Sequence, residues 1–169
     1  MANNIMSTRC QIGILKEGTK DYKKPEILIY RHSDGYPEDE SGVKATMQEF
    51  FPRFLAARGG DDTEYMGAQL LAHMIGASQN WASTLPEQSR ETWHFLGYGI
   101  CGDHIFHGDI EFYYSISPIV AENDKEKHFG RSTRVKVEVY EVTRDWEKKN
   151  PKSEFKLVDT WTFEAKEKE

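Results

Sequence analysis

Two helical stripes follow one another in the middle of the chain, with strand-like patterns before and after them. The first stripe contains Val43, Met47, Phe50, Phe51, Phe54 and Leu55. The second contains Met66, Leu70, Leu71, Met74 and Ile75. Apolar spacings of three and four residues are typical of helices that bury one side. Because the link between the stripes is short, we expect the two helices to pack antiparallel.

The ends of the predicted helices carry recognisable signals. Ser41 is a candidate cap for the first helix, and Pro52 inside it predicts a bend or a break because proline lacks an amide hydrogen. Arg58-Gly59-Gly60 ends this helix. Asp61 and Glu64 approximate a capping box, so the second helix should begin there.

Alternating apolar residues and short runs of residues that favour strands predict strands on both sides of the helices. These strands are Ser7 to Leu15, Glu26 to His32, Phe95 to Cys101, His104 to Pro118, Val135 to Val139 and Phe155 to Phe163. The first two should form an antiparallel hairpin, and Gly102-Asp103 predicts a two-residue hairpin between the next two. In the strand that ends at Pro118, one face should hold Ile110, Phe112, Tyr114 and Ile116, and the other face Asp109, Glu111 and Tyr113.

Strands, then helices, then strands again favour an α+β fold over alternating βαβ units. We predict a single domain over residues 7–163, with an antiparallel five- or six-stranded sheet and a two-helix layer on one face. Residues 1–6 form a flexible lead-in and residues 164–169 a solvated tail. Ala121 to Arg131 reads as a charged loop. Ser78 to Trp93, with a candidate short helix from Pro86 to Thr92, is left open as an insertion, a lid or a partner surface.

Composition excludes several classes of protein. The formal charge of −6 disfavours binding to duplex nucleic acid, which needs a basic face, although a local basic pocket is compatible with it. No apolar run approaches the roughly 20 residues of a membrane span, and the start lacks a secretory signal. Cys10 and Cys101 form no C-x-x-C motif, so neither a zinc ribbon nor a disulfide framework is indicated. A cytoplasmic location fits best.

The segment from Glu26 to Pro37 is the candidate site. An apolar run ends in the turn residues 33–37, and Arg31, His32, Asp34 and Tyr36 all lie at that strand end. These four residues bring a fixed cation, a titratable imidazole, a carboxylate and an aromatic hydroxyl close together. The sequence itself names no reaction or ligand.

Binding of a small anionic ligand such as a nucleotide signal is the favoured interpretation. Arg9 and Arg31 can fork onto phosphate oxygens, Tyr36 and Tyr98 can stack on a base, and amides near Gly35 can bind an anion. Without a complete catalytic set, sequestration is favoured over catalysis, and no cofactor or metal is assigned. The predicted ligand-binding residues are Arg9, Arg31, His32, Asp34, Tyr36, Tyr98, His107 and Asp109.

Three alternatives stay open. His32, Asp34, His107 and Asp109 form an N/O set for a metal-dependent hydrolase, although H-x-D pairs also occur by chance. The chain could instead inhibit a host protein by direct contact, and exposed aromatic residues make a homo-oligomer an option. The simplest interpretation is that Asp34-Gly35 is a plain turn. Cys101, three residues before His104, is interpreted as packing and not as a nucleophile.

Several short strings resemble a group of uncharacterised bacteriophage and bacterial proteins. They are Met6 to Arg9 (MSTR), Tyr30 to Pro37 (YRHSDGYP), Asp61 to Tyr65, Gly97 to Ile100 and Gly108 to Tyr114. The resemblance runs from about Met6 to Val142, and RHSDGYP is its most specific part. It implies a native start at Met6 and a mobile-element context, in which small proteins often counter host defence. It implies no activity, and Ser78 to Trp93 and the chain beyond Thr143 lie outside it.

Overall fold

A computed structural model of the chain describes residues 8–88, 97–102, 105–119, 127–128, 131–149 and 151–166. Two helices and eight strands lie in this part. The helices are α1 (Val43–Arg58) and α2 (Thr63–Ala82). The strands are β1 (Cys10–Ile14), β2 (Ile27–Arg31), β3 (Tyr98–Ile100), β4 (Phe112–Pro118), β5 (Lys127–His128), β6 (Arg131–Ser132), β7 (Arg134–Arg144) and β8 (Ser153–Glu164).

Six of these strands form one sheet in the order β3-β2-β1-β4-β7-β8. All neighbours are antiparallel except β1 and β4, which are parallel. The sequence between β1 and β4 contains β2, both helices and β3, which is ample length for the crossover that parallel neighbours need. The sheet is therefore mostly antiparallel, and the predicted α+β domain is confirmed.

The predicted hairpin at Gly102-Asp103 is wrong. β3 pairs with β2, and both β2 and β1 lie between β3 and β4 in the sheet. The strand predicted to begin at His104 begins only at Phe112. Ile110 consequently precedes the strand and packs on the opposite face from Tyr114 and Ile116.

Both helices form as predicted, but their starts differ. α1 begins after Gly42 with no side-chain cap, so the predicted cap at Ser41 is wrong, and the helix does not break at Pro52. α2 is capped by Asp62, whose side chain accepts a hydrogen bond from the Tyr65 amide. Asp61 does not cap it and instead accepts from the Ser132 amide at 2.8 Å, which ties β6 to the helix link.

The sheet is buried on both faces by different elements. On the helix face, α1 packs on β8 while α2 packs on β2 and β1, and the core includes Ile12, Tyr114 and Val137. The other face is called here the open face, because neither helix covers it. Tyr113 and Tyr140 are buried there beneath loop residues such as Tyr22 and Phe106. Alternation along each strand sends successive side chains to these two faces.

β8 is the long outer edge of the sheet. In the described part of the chain it pairs only with β7, and Val139 lies opposite Asp159 while Tyr140 lies opposite Leu157. Val158 is thus an extra residue, a β-bulge in the middle of the strand. Leu157 and Val158 are 50% and 45% exposed.

Several predictions fall outside the described residues, wholly or in part. These are the lead-in 1–6, most of the candidate helix 86–92, the first residues of the strand from Phe95, Asp103 and His104, much of the loop 121–131, and the end of the tail. In the described portion of that loop, β5 and β6 form a small antiparallel pair, where only a loop was predicted. Neither described helix combines the length and apolar character that crossing a membrane requires.

Candidate functional site

The eight predicted site residues divide between the two faces of the sheet. Arg31, Asp34 and Tyr98 line one cavity on the helix face. Four others gather on the open face: Arg9, His32, His107 and Asp109. The eighth, Tyr36, lies in the turn after β2. The predicted convergence of all eight on one hollow is not observed, because adjacent residues of β2 point in opposite directions.

Arg31 is the buried cation of the helix face, with 5% of its surface exposed. Its Nε donates to the Ser33 carbonyl at 2.8 Å, and its Nη2 donates to the Ser41 carbonyl at 2.8 Å. Its Nη1 donates to the Thr46 hydroxyl at 3.3 Å. These partners are all neutral, and no described carboxylate forms an ion pair with this guanidinium. A buried charge without a counter-charge is costly unless something compensates it.

A cavity of about 520 Å³ lies over Arg31, between α1, α2 and the β2–β3 edge. Tyr98, directly opposite Arg31 in the ladder, places its ring 6.0 Å from the guanidinium carbon. Met74 and Trp81 of α2 line the cavity, and Trp81 is 52% exposed. Burial raises the pKa of Tyr98, so its hydroxyl is protonated near neutral pH and can donate a hydrogen bond.

Positive and negative side chains lie at different depths of this cavity. Arg31 is buried at its base, whereas the carboxylates of Asp34, Glu40 and Glu49 belong to exposed residues. Glu49 also lies 3.8 Å from His73, which would pair with it when protonated. Water screens exposed charges much more than buried ones. The cavity therefore has one buried positive group at its base and more strongly screened carboxylates around it.

The turn 33–37 has a clear structural role. Asp34 adopts the left-handed conformation, with φ of 55°, and the Tyr36 hydroxyl bonds Asp34 and the Ser41 hydroxyl at 3.3 and 2.7 Å. A side chain at Gly35 would lie 2.8 Å from the Cys10 amide nitrogen. Tyr114 donates to the Gly35 carbonyl at 2.8 Å. The plain-turn interpretation thus accounts for Gly35 and Tyr36, whereas Arg31 and Asp34 also face the cavity.

The open-face cluster is built around Tyr30. Its ring stacks on His107 with centroids 4.6 Å apart, and its hydroxyl lies 3.4 Å from both His32 Nδ1 and Asp109 Oδ2. Arg9 Nε lies 3.5 Å from the same Asp109 oxygen. The pKa of Tyr30 is raised by burial and by the Asp109 carboxylate. The cation of this cluster, Arg9, thus has a carboxylate beside it, whereas Arg31 has only neutral partners.

Within the described residues, no three or more histidine, cysteine, aspartate or glutamate side chains are grouped so as to hold a metal ion. The proposed set of His32, Asp34, His107 and Asp109 is not assembled, since Asp34 turns to the helix face. The rule that residues two apart on a strand share a face does not apply to His32 and Asp34, because β2 ends at Arg31 and Asp34 lies in the turn with a left-handed backbone.

Sequence reasoning missed Gln11 and Tyr30 on the open face, and it interpreted Cys101 there only as packing. Gln11 is fully buried, and its Nε2 donates to Cys101 Sγ at 3.0 Å. Cys101 Sγ lies 3.7 Å from His107 Nε2, a contact made with a histidine other than the predicted His104. A buried glutamine inside an apolar strand was the one available signal.

A second groove of about 520 Å³ lies on the outer side of the helix pair. Phe50, Arg53, Arg58 and Tyr65 are among the residues that line it, and none of the predicted site residues do. Arg58 stacks on the Tyr65 ring at 3.8 Å and pairs with Asp62 at 3.0 Å. Arg58 is therefore already engaged by neighbouring groups.

Comparisons of the chain with protein-family models, curated proteins and solved structures found no match. The resemblance to phage and bacterial proteins accordingly stays a prediction.

Proposed function

We propose that the protein binds a small ligand with one anionic group and a planar ring, in the cavity above Arg31. The observation that carries this proposal is the buried guanidinium, which has only neutral oxygen partners and faces a cavity of about 520 Å³. An anionic group of the ligand would supply the missing counter-charge.

Aromatic side chains support the ring of such a ligand. Tyr98 lies beside the guanidinium, and Trp81 stands at the cavity wall. Base stacking on an aromatic side chain contributes about 1–3 kcal/mol and tolerates different bases. A nucleoside monophosphate fits this description. The exposed carboxylates at the mouth repel the additional negative charges of di- and triphosphates. The prediction of a nucleotide is therefore narrowed to a monophosphate.

A binding role without chemistry is preferred, since none of the described residues that line the cavity is a nucleophile hydrogen-bonded to a base. In this proposal the protein is a cytoplasmic, phage-type accessory protein that sequesters a nucleotide signal. Support for the phage context comes only from the sequence resemblance. A host protein partner and a homo-oligomer remain predictions.

Thermal-shift measurements on the full chain test the ligand class. We expect adenosine or guanosine monophosphate to raise Tm by about 5–10 °C at a concentration of about 100 Kd. The corresponding nucleosides, which lack the anion, and the triphosphates, which carry too much charge, should each give a smaller shift.

Two aromatic variants of α2 test the location. Trp81 and Tyr65 are almost equally exposed, at 52% and 51%, but only Trp81 lines the cavity. Trp81→Ala should remove most of the ligand-induced shift, while Tyr65→Ala should retain it. The reverse pattern would move the site to the outer groove, and the absence of a shift with every nucleotide would overturn the proposal.

A further inference from the structure

The sulfur of Cys101 contacts two polar side chains on the open face. Gln11 Nε2 donates to it at 3.0 Å, and His107 Nε2 lies 3.7 Å from it. Gln11 is held in place because its Oε1 accepts from the His107 amide at 2.9 Å and its Nε2 also reaches the Ile105 carbonyl at 3.1 Å. A donor and a proton acceptor therefore flank one thiol.

The His107 ring is oriented by stacking on Tyr30. Among the described residues, the charged and titratable groups around this pair are His32, Asp109 and Arg9, through the Tyr30 hydroxyl and the Arg9–Asp109 ion pair. His107 is exposed and Cys101 is partly exposed, so small reagents can reach both. Cys10, the other cysteine, is fully buried in the helix-face core.

We propose that Cys101 is a reactive thiol, activated by His107 and Gln11, that hydroperoxides oxidise to a sulfenic acid. His107 Nε2 takes the thiol proton as the sulfur attacks one peroxide oxygen. The S–O bond forms and the O–O bond breaks, and the departing group, hydroxide from hydrogen peroxide or alkoxide from an organic hydroperoxide, takes the proton back from His107 and leaves as water or an alcohol. Sulfur is oxidised by two electrons and the peroxide is reduced by two.

A low-molecular-weight thiol can then complete the sequence. It condenses with the sulfenic acid to give a mixed disulfide, and water is lost. Cys10 does not supply this thiol, because it is buried on the opposite face of the sheet. The product is thus expected on a single cysteine.

The geometry favours a small electrophile over an acyl substrate. Gln11 is the only side-chain amide on the sulfur among the described residues, and it is fully buried, so it cannot stabilise the oxyanion of an external carbonyl. Burial raises the pKa of the Cys101 thiol, while the Gln11 hydrogen bond acts in the opposite direction. The thiol therefore depends on a neighbouring base to ionise as it reacts.

Peroxide oxidation with dimedone as the sulfenic-acid trap tests the proposal on the full chain. Peptide mass spectrometry at pH 7 should show the adduct on Cys101 and not on Cys10, which serves as an internal control. His107→Phe keeps a ring against Tyr30 but has no proton acceptor. It should lower the rate by about tenfold to a hundredfold, at or below the low end of what a positioned base contributes.

His32→Ala is the matched control, since His32 contacts Tyr30 but is not a partner of the sulfur. It should leave the rate unchanged. The rate of His107→Phe should rise only as alkaline pH ionises the thiol itself, whose pKa is raised by burial. Cys101 that reacts no faster than a free cysteine peptide, or a wild-type rate in His107→Phe, would overturn the proposal. His107→Ala repeats the test if the phenylalanine variant misfolds.

Discussion

Arg31 and His32 are neighbours in the sequence but belong to different environments. Arg31 is buried on the helix face, holds the turn after β2 through two carbonyls, and faces a cavity. His32 is exposed on the open face, where its ring lies beside the Tyr30 hydroxyl. Neighbouring residues at the end of one strand can therefore belong to two different candidate sites, because their side chains lie on opposite faces of the sheet.

The two faces also differ in the chemistry that they leave available. On the helix face a cation lacks a counter-charge, which suits binding. On the open face the charges are paired and a thiol lies beside an imidazole, which suits reaction. The helix pair leaves space over the β2–β3 edge, whereas loops close over the opposite side.

The largest contrast should come from substituting Arg31 and His32 themselves. Arg31→Met removes three hydrogen bonds from a buried charged donor and should cost about 3 kcal/mol of unfolding free energy. His32→Ala changes an exposed side chain and should stay within about 0.5 kcal/mol. Urea denaturation of both variants measures this difference, and equal losses would refute the division into two environments.

Gly35→Ala should be the next most damaging change. An added Cβ would lie 2.8 Å from the Cys10 nitrogen and 2.9 Å from the Arg9 carbonyl carbon, and these backbone atoms cannot move aside cheaply. We expect a loss of about 2 kcal/mol, within the usual range for overpacking. Gly99→Ala is the control, because nothing lies within 4 Å of its Cβ position. A similar loss in both variants would show that the turn is not packed as described.

Tyr114→Phe should cost about 1 kcal/mol near neutral pH, because it removes the hydrogen bond to the Gly35 carbonyl. Burial raises the pKa of Tyr114 well above its ordinary value. The folded state thus favours the protonated phenol, so its contribution is complete below about pH 10 and is lost as pH rises further. Chemical denaturation from pH 8 to 11 should show a shallower alkaline loss in Tyr114→Phe than in the wild type. An equal slope would contradict this.

The smallest effect is expected for the ion pair on the open face. Arg9 and Asp109 are separated by 3.5 Å, and their side chains are 37% and 46% exposed. Arg9→Gln should cost less than about 1 kcal/mol, and the difference from wild type should shrink in high salt. Urea midpoints in low and high salt measure it. A larger loss of unfolding free energy that does not depend on salt would contradict this, because it would show that Arg9 behaves as a buried cation like Arg31.

Much of the fold was predictable because periodicity depends on local sequence. The apolar spacings identified both helices, alternation identified β1 and β7, and a short apolar run identified β2. β8 was predicted as well. Strand pairing was not predictable, since alternation says which side chains share a face and not which strand is adjacent. The parallel β1–β4 pair and the separation of β3 from β4 are such long-range choices.

The candidate site was predictable in part for the same reason. Arg31, Asp34 and Tyr98 do share a cavity. Alternation along β2 already implied that Arg31 and His32 diverge. The hydrogen bond between Gln11 and Cys101 could not be predicted, because it joins residues 90 positions apart and no periodic pattern relates them.

Val158 has a consequence for how copies of the chain behave when crowded together. A partner strand laid along β8 would meet an interrupted row of amides and carbonyls halfway along, where the extra residue twists the backbone. Fibrils grow by unbroken zipping of such rows. The bulge at Val158 therefore disfavours aggregation by strand pairing along the exposed edge of β8.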